Sequence, residues 1–206
     1  FVAGNRENWP DETRAGEICI KRLVAGDRGH FGPFEHAQIM LNVGWFPHSV
    51  MQQARTHRVG VSFDVQSMRY TGERICRAAD GELDLEEVFY LRPVGEYRAR
   101  IGNKYAYTEE QRSIDLEHCQ RSAERYRDLL RSGFSEEHAR GILPFDYRQH
   151  FIASFSLRAF LHFMDLRAKQ DAQLEIRQLC DLMWPHMEKW APEFAAWYEK
   201  LSLIHI

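Results

Sequence analysis

One basic segment, residues 52–70, constrains this chain more than any other part of its sequence. Apart from a single acid at position 64, its charged and titratable side chains are basic or phenolic, and the basic ones are Arg55, His57, Arg58 and Arg69. Such a concentration of like charge opposes folding unless an anion binds to it. Arginine grips phosphate with a planar fork of donors, and nearby serines and glutamines can add neutral hydrogen bonds. The segment therefore predicts a site for a phosphorylated ligand with a ring, although each residue alone is more often part of a solvated surface.

The charge of the whole chain indicates how large that ligand is. The chain has 206 residues and a formal net charge of −3 at pH 7. Proteins that bind nucleic acids usually present an overall basic domain or stripe. Because the basic residues here are concentrated in one segment, we expect a small anion and no nucleic acid as partner. The length suits one domain with a sizeable core, so a single domain over residues 1–206 is predicted.

The cysteines, histidines and apolar residues argue against several classes of protein. The cysteines form no C-x-x-C pair, which is typical of reduced thiols in a cytoplasmic protein: Cys19, Cys76, Cys119 and Cys180. The spacing of His30, His36 and His57 matches no zinc motif, so no metal site is predicted. No apolar run approaches the roughly 20 residues that span a bilayer, so no membrane partner is expected.

Hydrophobic periodicity in the first half of the chain predicts strands and one short helix. Apolar residues alternate over 37–45, ending on Trp45, which is typical of a strand with one buried face. Pro47 fits the first turn of a helix whose apolar residues are Val50, Met51 and Ala54. A second strand is expected near residues 88–92, with a hairpin-like return near residues 97–101.

The second half of the chain is predicted to be rich in helices. Thr108 and Gln111 form a capping-box pattern, so a helix is expected from there to Gly133, with an apolar stripe of Ile114, Cys119, Tyr126, Leu129 and Leu130. Ser135 starts a short helix. Two more helices are expected, one from Phe151 onward and one from Asp171 until Pro185 interrupts it. The predicted fold class is α+β, a single domain with a small antiparallel sheet and several long helices.

Four ordered motifs, over roughly residues 11–190, resemble those of the flavin-dependent thymidylate synthases. The basic segment is similar to the signature of that family, with Arg-x-His-Arg at residues 55–58, then spaced serines, then Arg-Tyr at residues 69–70. Residues 30–36 resemble its His-x-x-Pro-Phe-Glu-His segment, and residues 140–144 its Arg-x-x-Leu-Pro segment. The following helix matches at Ser156, Leu157, Arg158, His162, Phe163, Leu166 and Arg167.

The resemblance implies FAD as cofactor and deoxyuridine monophosphate (dUMP) as substrate. The positions that match flavin contacts are Gly32, through its backbone, and Arg55, His57, Arg58, Ser156, Arg158 and His162. Those that match substrate contacts are Gln52, Ser67, Arg69, Arg140 and Arg167, with the backbone of Val65 and Gln66. At three positions the chain departs from the common pattern, since Gly32 replaces a hydroxyl residue, Asp64 an asparagine and Val65 an acid.

The resemblance also implies the reaction, which is reductive methylation of dUMP to dTMP. 5,10-Methylenetetrahydrofolate would donate the carbon and NADPH the electrons. None of the cysteines lies in a matched motif, so no thiol nucleophile is expected, and a reduced flavin can supply hydride instead. Arg167 is the expected catalytic residue, because its cation can stabilise negative charge on the uracil ring. The alternative for Arg167 is a helix-end arginine paired with Asp165 or Asp171.

Three further expectations concern partners, assembly and length. Glu35 is expected to accept a hydrogen bond from His57 or from an arginine. An unbroken helix would place Arg158 and Arg167 on opposite faces, unless it breaks near Asp165 or ends before Arg167. The resemblance implies a homotetramer with shared sites. The chain is predicted to lack an N-terminal segment of the family, and residues 203–206 match nothing in it. A catalytically impaired flavin- or nucleotide-binding module is the alternative function.

Overall fold

The computed structural model describes residues 11–26, 28–99 and 101–202. The predicted N-terminal truncation and the unmatched residues 203–206 therefore lie outside the described residues. Contacts divide the chain into two compact units. Unit 1 comprises Phe1–Ile39, Val59–Val61 and Ser154–Ile206, and unit 2 comprises Met40–Arg58 and Ser62–Ala153. A single domain over residues 1–206 stays a prediction.

The order of elements confirms the α+β class and the helix-rich second half. The strands are β1 (Gln38–Pro47), β2 (Val61–Val65), β3 (Gly95–Arg98), β4 (Lys104–Tyr107) and β5 (Arg148–Ser156). The helices are α1 (Glu12–Cys19), α2 (His48–Ala54), α3 (Met68–Thr71), α4 (Glu73–Ala79), α5 (Glu109–Arg131), α6 (Glu136–Ala139), α7 (Leu157–Arg167), α8 (Leu174–Trp190) and α9 (Pro192–Ser202). A π-helical turn follows α1, and short 3-10 turns cover Gly32–Glu35, Leu85–Glu87 and Arg140–Ile142.

Two small sheets are present in the described part of the chain. The first has the strand order β1-β5-β2, and the second pairs β3 with β4 antiparallel, with Gly95 opposite Tyr107. In the first sheet Gln66 N–H donates to the His150 carbonyl (3.0 Å), and Ser156 N–H to the Gly60 carbonyl (2.8 Å). Residue numbers therefore increase along one strand as they decrease along the other, so β2 and β5 run antiparallel.

Strand β1 confirms the predicted alternation from Ile39 to Val43 but not at its two ends, since Ala37 lies before the strand and is exposed, and Trp45 also departs from it. Ile39, Leu41 and Val43 are more buried than the residues between them. Trp45, predicted on the buried face, is 48% exposed and has a φ of 65°. Positive φ is costly for a bulky residue and needs support from its surroundings. The support comes from its neighbours, since Trp45 Nε1 donates to Glu87 Oε2 (3.0 Å) and the Trp45 carbonyl accepts from the Arg148 guanidinium.

The strand predicted at residues 88–92 is absent from the structure. Only an isolated bridge between Phe89 and Tyr147 forms there, with Tyr90 N–H donating to the Asp146 carbonyl (2.9 Å). Pro93 follows directly and cannot extend a ladder, because it has no N–H to donate. The predicted return near residues 97–101 lies instead in the hairpin of β3 and β4, whose turn contains residues 101 and 102.

Helix α5 begins at the predicted capping box. Thr108 Oγ accepts from Gln111 N–H (3.3 Å), and the Gln111 side chain accepts from Thr108 N–H (3.3 Å). The apolar stripe packs with α4 and the loop after it to form the core of unit 2, where Tyr126 and Ala123 are fully buried. Ile114 was assigned to this stripe wrongly, since it is 57% exposed. Ser135 caps α6 as predicted.

Three helix boundaries in the last third of the chain differ from the prediction, and one of them is the start of α8, predicted at Asp171 and found at Leu174. Residues 151–156 form the end of β5, and the helix begins only at Leu157. Phe151 and Phe155 are four residues apart, a spacing that fits a strand as well as a helix. Pro185 does not end α8, which continues to Trp190. Buried Met183 and Met187 flank the proline and pack the helix on both sides of it.

Candidate active site

The basic segment starts at the end of α2, in unit 2. His57 is buried (9% exposed), and its N–H donates to the Ala54 carbonyl (3.1 Å). Arg55 and Arg58, on either side, are exposed. In residues 11–26, 28–99 and 101–202 neither of these two guanidinium groups has an ion-pair partner. The sequence-predicted flavin contacts of unit 2 thus consist of one buried imidazole and two arginines that are available to an anion.

Two short helices of unit 2 bring the predicted phosphate ligands to neighbouring positions. Ser67 caps α3, because its Oγ accepts from Arg69 N–H (3.4 Å). Arg69 Nη1 lies 3.1 Å from Glu137 Oε1 on α6, and both side chains are about half exposed. Arg140 directly follows α6 and is exposed. The Arg69–Glu137 ion pair therefore holds α3 against the helix that presents Arg140.

Gln52 is held by His48 and, through it, by Gln149, two residues that the sequence did not predict in the site. Its Nε2 lies 2.6 Å from His48 Nε2, and His48 Nδ1 lies 2.9 Å from Gln149 Oε1. Gln149, 3% exposed, donates from Nε2 to the Gln66 carbonyl (2.7 Å). One sequence signal was present, since His48 and Gln52 are four residues apart and thus share a helix face. The Gln66 N–H is already bonded to the His150 carbonyl. The Gln66 carbonyl accepts one hydrogen bond from Gln149 and has a second lone pair for a ligand.

The electrostatics around Tyr147 link Arg140 to the same surface of unit 2. Burial raises the pKa of the Tyr147 phenol, while the nearby cations of Arg140 and Arg74 act in the opposite direction. The His48 ring is stacked on Tyr147 with a centroid distance of 4.8 Å. Hydrogen bonds lead from Gln52 through His48 and Gln149 to the Gln66 carbonyl, next to Ser67. Arg69 pairs with Glu137, three residues before Arg140. Val65, in β2, is half-buried, and only its backbone was predicted to take part.

In unit 1, Ser156 begins the second group of predicted residues. Its Oγ caps α7 by accepting from Ala159 N–H (3.2 Å). A side chain at Gly60 would overlap Ser156 Oγ, and Gly60 has a φ of 69°. The basic segment therefore needs glycine at this point both for space and for its left-handed conformation. The side chain of buried Ser156 is engaged in the cap, which places the N-terminus of α7 beside the glycine turn.

Arg158 is the second residue of α7 and is exposed. Its Nη1 is 2.5 Å from Glu35 Oε1, and its guanidinium lies over the Phe31 ring (5.4 Å). This confirms the expectation that Glu35 pairs with an arginine. His162, four residues later, shares this face of the helix and is exposed. Gly32, beside Phe31, has nothing within 4 Å of a Cβ position, so its backbone is open to a ligand.

Arg167 is the last residue of α7, which is continuous from Leu157. This excludes both a break near Asp165 and a helix end before Arg167. Asp165 accepts a hydrogen bond from Tyr198 Oη (2.6 Å), so it already has a strong partner. Burial raises the pKa of the Cys180 thiol to about 12, and the Arg167 cation acts against that rise.

The described residues contain no group of three or more histidine, cysteine or acidic side chains arranged to hold a metal ion. In the same part of the chain no helix combines the length and the hydropathy needed to cross a membrane. The thiols are free: Cys19, Cys76, Cys119 and Cys180.

Residues 4–193 match the family described as thymidylate synthase complementing protein (Thy1). The chain belongs to this family. The resemblance drawn from its four motifs is thereby confirmed.

Two relatives and one solved structure are similar to this chain over most of its length. The flavin-dependent thymidylate synthase of Haloarcula marismortui is 35% identical over 189 residues, which cover 89% of this chain and 75% of that protein. The flavin-dependent thymidylate synthase of Halobacterium salinarum is 32% identical over 177 residues, covering 84% and 71%. The crystal structure of the UMP/dUMP methylase PolB of Streptomyces cacaoi, bound with 5-Br UMP, superposes with a TM-score of 0.67 at 21% identity. The superposition covers 89% of this chain and 79% of the PolB chain, and it confirms the fold.

Proposed function

We propose that this chain is a flavin-dependent thymidylate synthase that converts dUMP into dTMP by reductive methylation. The observation that carries the proposal is the grouping of Ser67, Arg69 and Arg140 on α3 and next to α6, with Gln52 anchored nearby in the same unit. Two arginines and a serine suit a phosphate, and an amide suits a pyrimidine ring. The family membership and the names of the relatives support the same assignment.

dUMP would bind to the residues of unit 2. Arg69 and Arg140 would hold the phosphate, with the Ser67 hydroxyl as a neutral donor. Gln52 and the backbone of Val65 and Gln66 would contact the nucleoside. Arg69 has to exchange its partner, because Glu137 occupies it in the structure, so phosphate binding costs part of the Arg69–Glu137 pair. Exposed pairs of this kind contribute only about 0–1 kcal/mol, so a phosphate can displace Glu137.

The residues present fit FAD. Arg55 and Arg58 offer guanidinium groups with no ion-pair partner in the described residues, and the open Gly32 backbone leaves room for close approach. His57, Ser156, Arg158 and His162 would complete the set. Reduced flavin would supply the hydride, NADPH the electrons, and 5,10-methylenetetrahydrofolate the carbon. Glu35 neutralises part of the Arg158 charge, so Arg55 and Arg58 would hold most of the pyrophosphate charge.

Arg167 would be the catalytic residue. Its permanent cation would stabilise negative charge that develops on the uracil ring, an effect typically worth about 3–4 kcal/mol for one preorganised donor. Its helix-end position also places it at the negative end of the α7 dipole, which stabilises the cation in place. The assembly would be a homotetramer with shared sites, working in the cytoplasm.

Tritium release from C5-labelled dUMP tests this function directly. The full chain would be assayed with FAD, NADPH and 5,10-methylenetetrahydrofolate, and with dTMP formation followed in parallel. Release that depends on all three additions supports the proposal. A protein that binds flavin and dUMP but releases no tritium would instead be the impaired module, for which Gly32, Asp64 and Val65 are the relevant departures. A protein that binds neither would contradict both.

A further inference from the structure

A chain of hydrogen bonds in unit 2 joins two glutamines, one histidine and one backbone carbonyl. It begins at the Gln66 carbonyl, which accepts from Gln149 Nε2 (2.7 Å). Gln149 Oε1 lies 2.9 Å from His48 Nδ1, and His48 Nε2 lies 2.6 Å from Gln52 Nε2. Gln149 is almost completely buried, whereas Gln52 is exposed. The chain therefore runs from the core to the surface on which the substrate would bind.

The direction of every hydrogen bond in this chain follows from its first member. A backbone carbonyl only accepts, so the Gln149 amide has to face it with Nε2 and turn Oε1 toward His48. An amide oxygen only accepts, so His48 carries its proton on Nδ1. In the neutral imidazole Nε2 is then an acceptor, and Gln52 has to approach it with Nε2. The amide of Gln52 is thereby oriented, with Oε1 as its acceptor for a ligand.

Packing prevents the imidazole from turning and reversing this direction. The His48 ring is stacked on Tyr147, with an angle of 17° between the planes. The Phe145 ring meets it edge-on at a centroid distance of 5.3 Å. Two aromatic neighbours and two hydrogen bonds fix both the plane and the tautomer of the imidazole. A reversed Gln52 amide would turn Oε1 toward the His48 Nε2 acceptor and lose the hydrogen bond between them.

We propose that His48 and Gln149 are positioning residues that set the base preference of the site by fixing the amide of Gln52. Uracil offers an N–H at N3, which an outward-facing Oε1 accepts. Cytosine has an unprotonated N3 at the same place, which would face Oε1 with a second acceptor. The inference rests on the proposed function, in which Gln52 contacts the nucleoside of dUMP. It adds two residues and a physical basis for choosing dUMP over dCMP.

The test compares the dissociation constants of dUMP and dCMP by calorimetry on the full chain. His48→Phe keeps a ring on Tyr147 but removes both hydrogen bonds, and Gln149→Leu removes the anchor without changing His48 or Gln52. In each variant we expect the preference for dUMP over dCMP to fall about tenfold, since one oriented hydrogen bond is lost. Gln120→Leu is the matched control, because it removes another part-buried amide, bonded to Ala79 and Glu124, and should leave the preference unchanged.

A coupling measurement separates positioning from a general loss of structure. In a Gln52→Leu background His48→Phe should cause no further change in preference, because His48 acts through Gln52. In the enzyme assay His48→Phe should raise KM for dUMP more than it lowers kcat. If Gln149→Leu fails to fold, the measurement on His48→Phe, a change at a half-exposed position, decides the result.

Each outcome has a distinct meaning. If the wild-type protein binds dUMP and His48→Phe keeps the full preference over dCMP, the inference is overturned and the proposed function stands. An additional effect of His48→Phe in the Gln52→Leu background would also overturn it. If the wild-type protein does not bind dUMP at all, the proposed function fails and the inference fails with it.

Discussion

Arg158 and Arg167 lie on opposite faces of one uninterrupted helix. They are nine residues apart in α7, and at about 100° per residue the helix turns through roughly 900° between them. Arg158 contacts Glu35 and Phe31 on its side of the helix. A pocket that faces one side of this helix therefore reaches only one of the two guanidinium groups. A flavin contact at Arg158 and a substrate contact at Arg167 would therefore come from different subunits.

Mixing experiments test this arrangement. Arg158→Ala and Arg167→Ala homo-oligomers should each be inactive, but after subunit exchange some sites in the hybrids would contain both intact arginines. We expect part of the activity to return in a tritium-release assay. Mixing each variant with itself is the control. An active monomer in sedimentation, or verified exchange without any return of activity, would contradict shared sites.

Flavin affinity should depend on the two arginines of the basic segment that have no ion-pair partner in the described residues. The double change Arg55→Ala, Arg58→Ala should weaken flavin binding at least tenfold, because each charge-assisted contact is worth about 1.5–3 kcal/mol. Flavin absorbance of the purified protein and a titration with FAD measure this. Arg121→Ala is the matched control, since Arg121 is an exposed arginine that pairs with Glu117 on α5. Undiminished flavin binding by the double variant would rule out this assignment.

The phosphate of dUMP should contribute most of its affinity. Deoxyuridine, which lacks it, should bind several hundred-fold more weakly, since two charge-assisted contacts of about 1.5–3 kcal/mol each are lost. Arg69→Ala should reproduce much of that loss. Glu137→Gln should bind dUMP at least as well as the wild type, because it removes the carboxylate that competes for Arg69. Calorimetry that gave equal affinities for nucleoside and nucleotide would refute the phosphate site.

Tyr126→Phe should stabilise the protein. Tyr126 is fully buried, and its hydroxyl has no hydrogen-bond partner among the described residues. Removing a buried, unpaired hydroxyl is expected to raise the free energy of unfolding by about 1–2 kcal/mol. Tyr107→Phe is the contrasting variant, because the Tyr107 hydroxyl donates to Asp115 (2.7 Å), and it should not stabilise. Urea unfolding of the three proteins checks this, and a lower midpoint for Tyr126→Phe would show that the hydroxyl is satisfied.

Acid should destabilise unit 2 partly through His150. Burial lowers the pKa of this imidazole, and the Arg74 cation adds to the effect. The unfolded chain, with an ordinary histidine pKa of about 6.5, therefore binds the proton first as the pH falls. The free energy of unfolding consequently decreases from pH 7 toward pH 5.

Replacing the ring isolates this contribution. His150→Phe keeps an aromatic ring beside Trp45 and should show a smaller decrease in stability between pH 7 and pH 5 than the wild type. Urea midpoints at both pH values give the comparison. His118→Gln, on the exposed side of α5, serves as control and should behave like the wild type. Equal pH dependence in His150→Phe and the wild type would contradict the role of His150.

Features that depend on neighbouring residues in the chain could be predicted from the sequence alone. Thr108 and Gln111 mark the start of α5 because both partners of the capping box are three residues apart. The alternation up to Val43 gave β1, and the ordered motifs identified the family. These signals are local, so no knowledge of the distant chain is needed to interpret them.

Other features were decided only by contacts between distant parts of the chain. Trp45 turns outward because Glu87 and Arg148 bind it, and Phe151 lies in a strand because β5 pairs with two other strands. Pro185 stays inside α8, where buried Met183 and Met187 help to offset a penalty of about 3 kcal/mol. The anchoring of Gln52 through His48 and buried Gln149 joins residues about a hundred positions apart. The sequence therefore determined which groups are available for chemistry, and tertiary structure decided how they are oriented, because orientation depends on partners that local spacing does not specify.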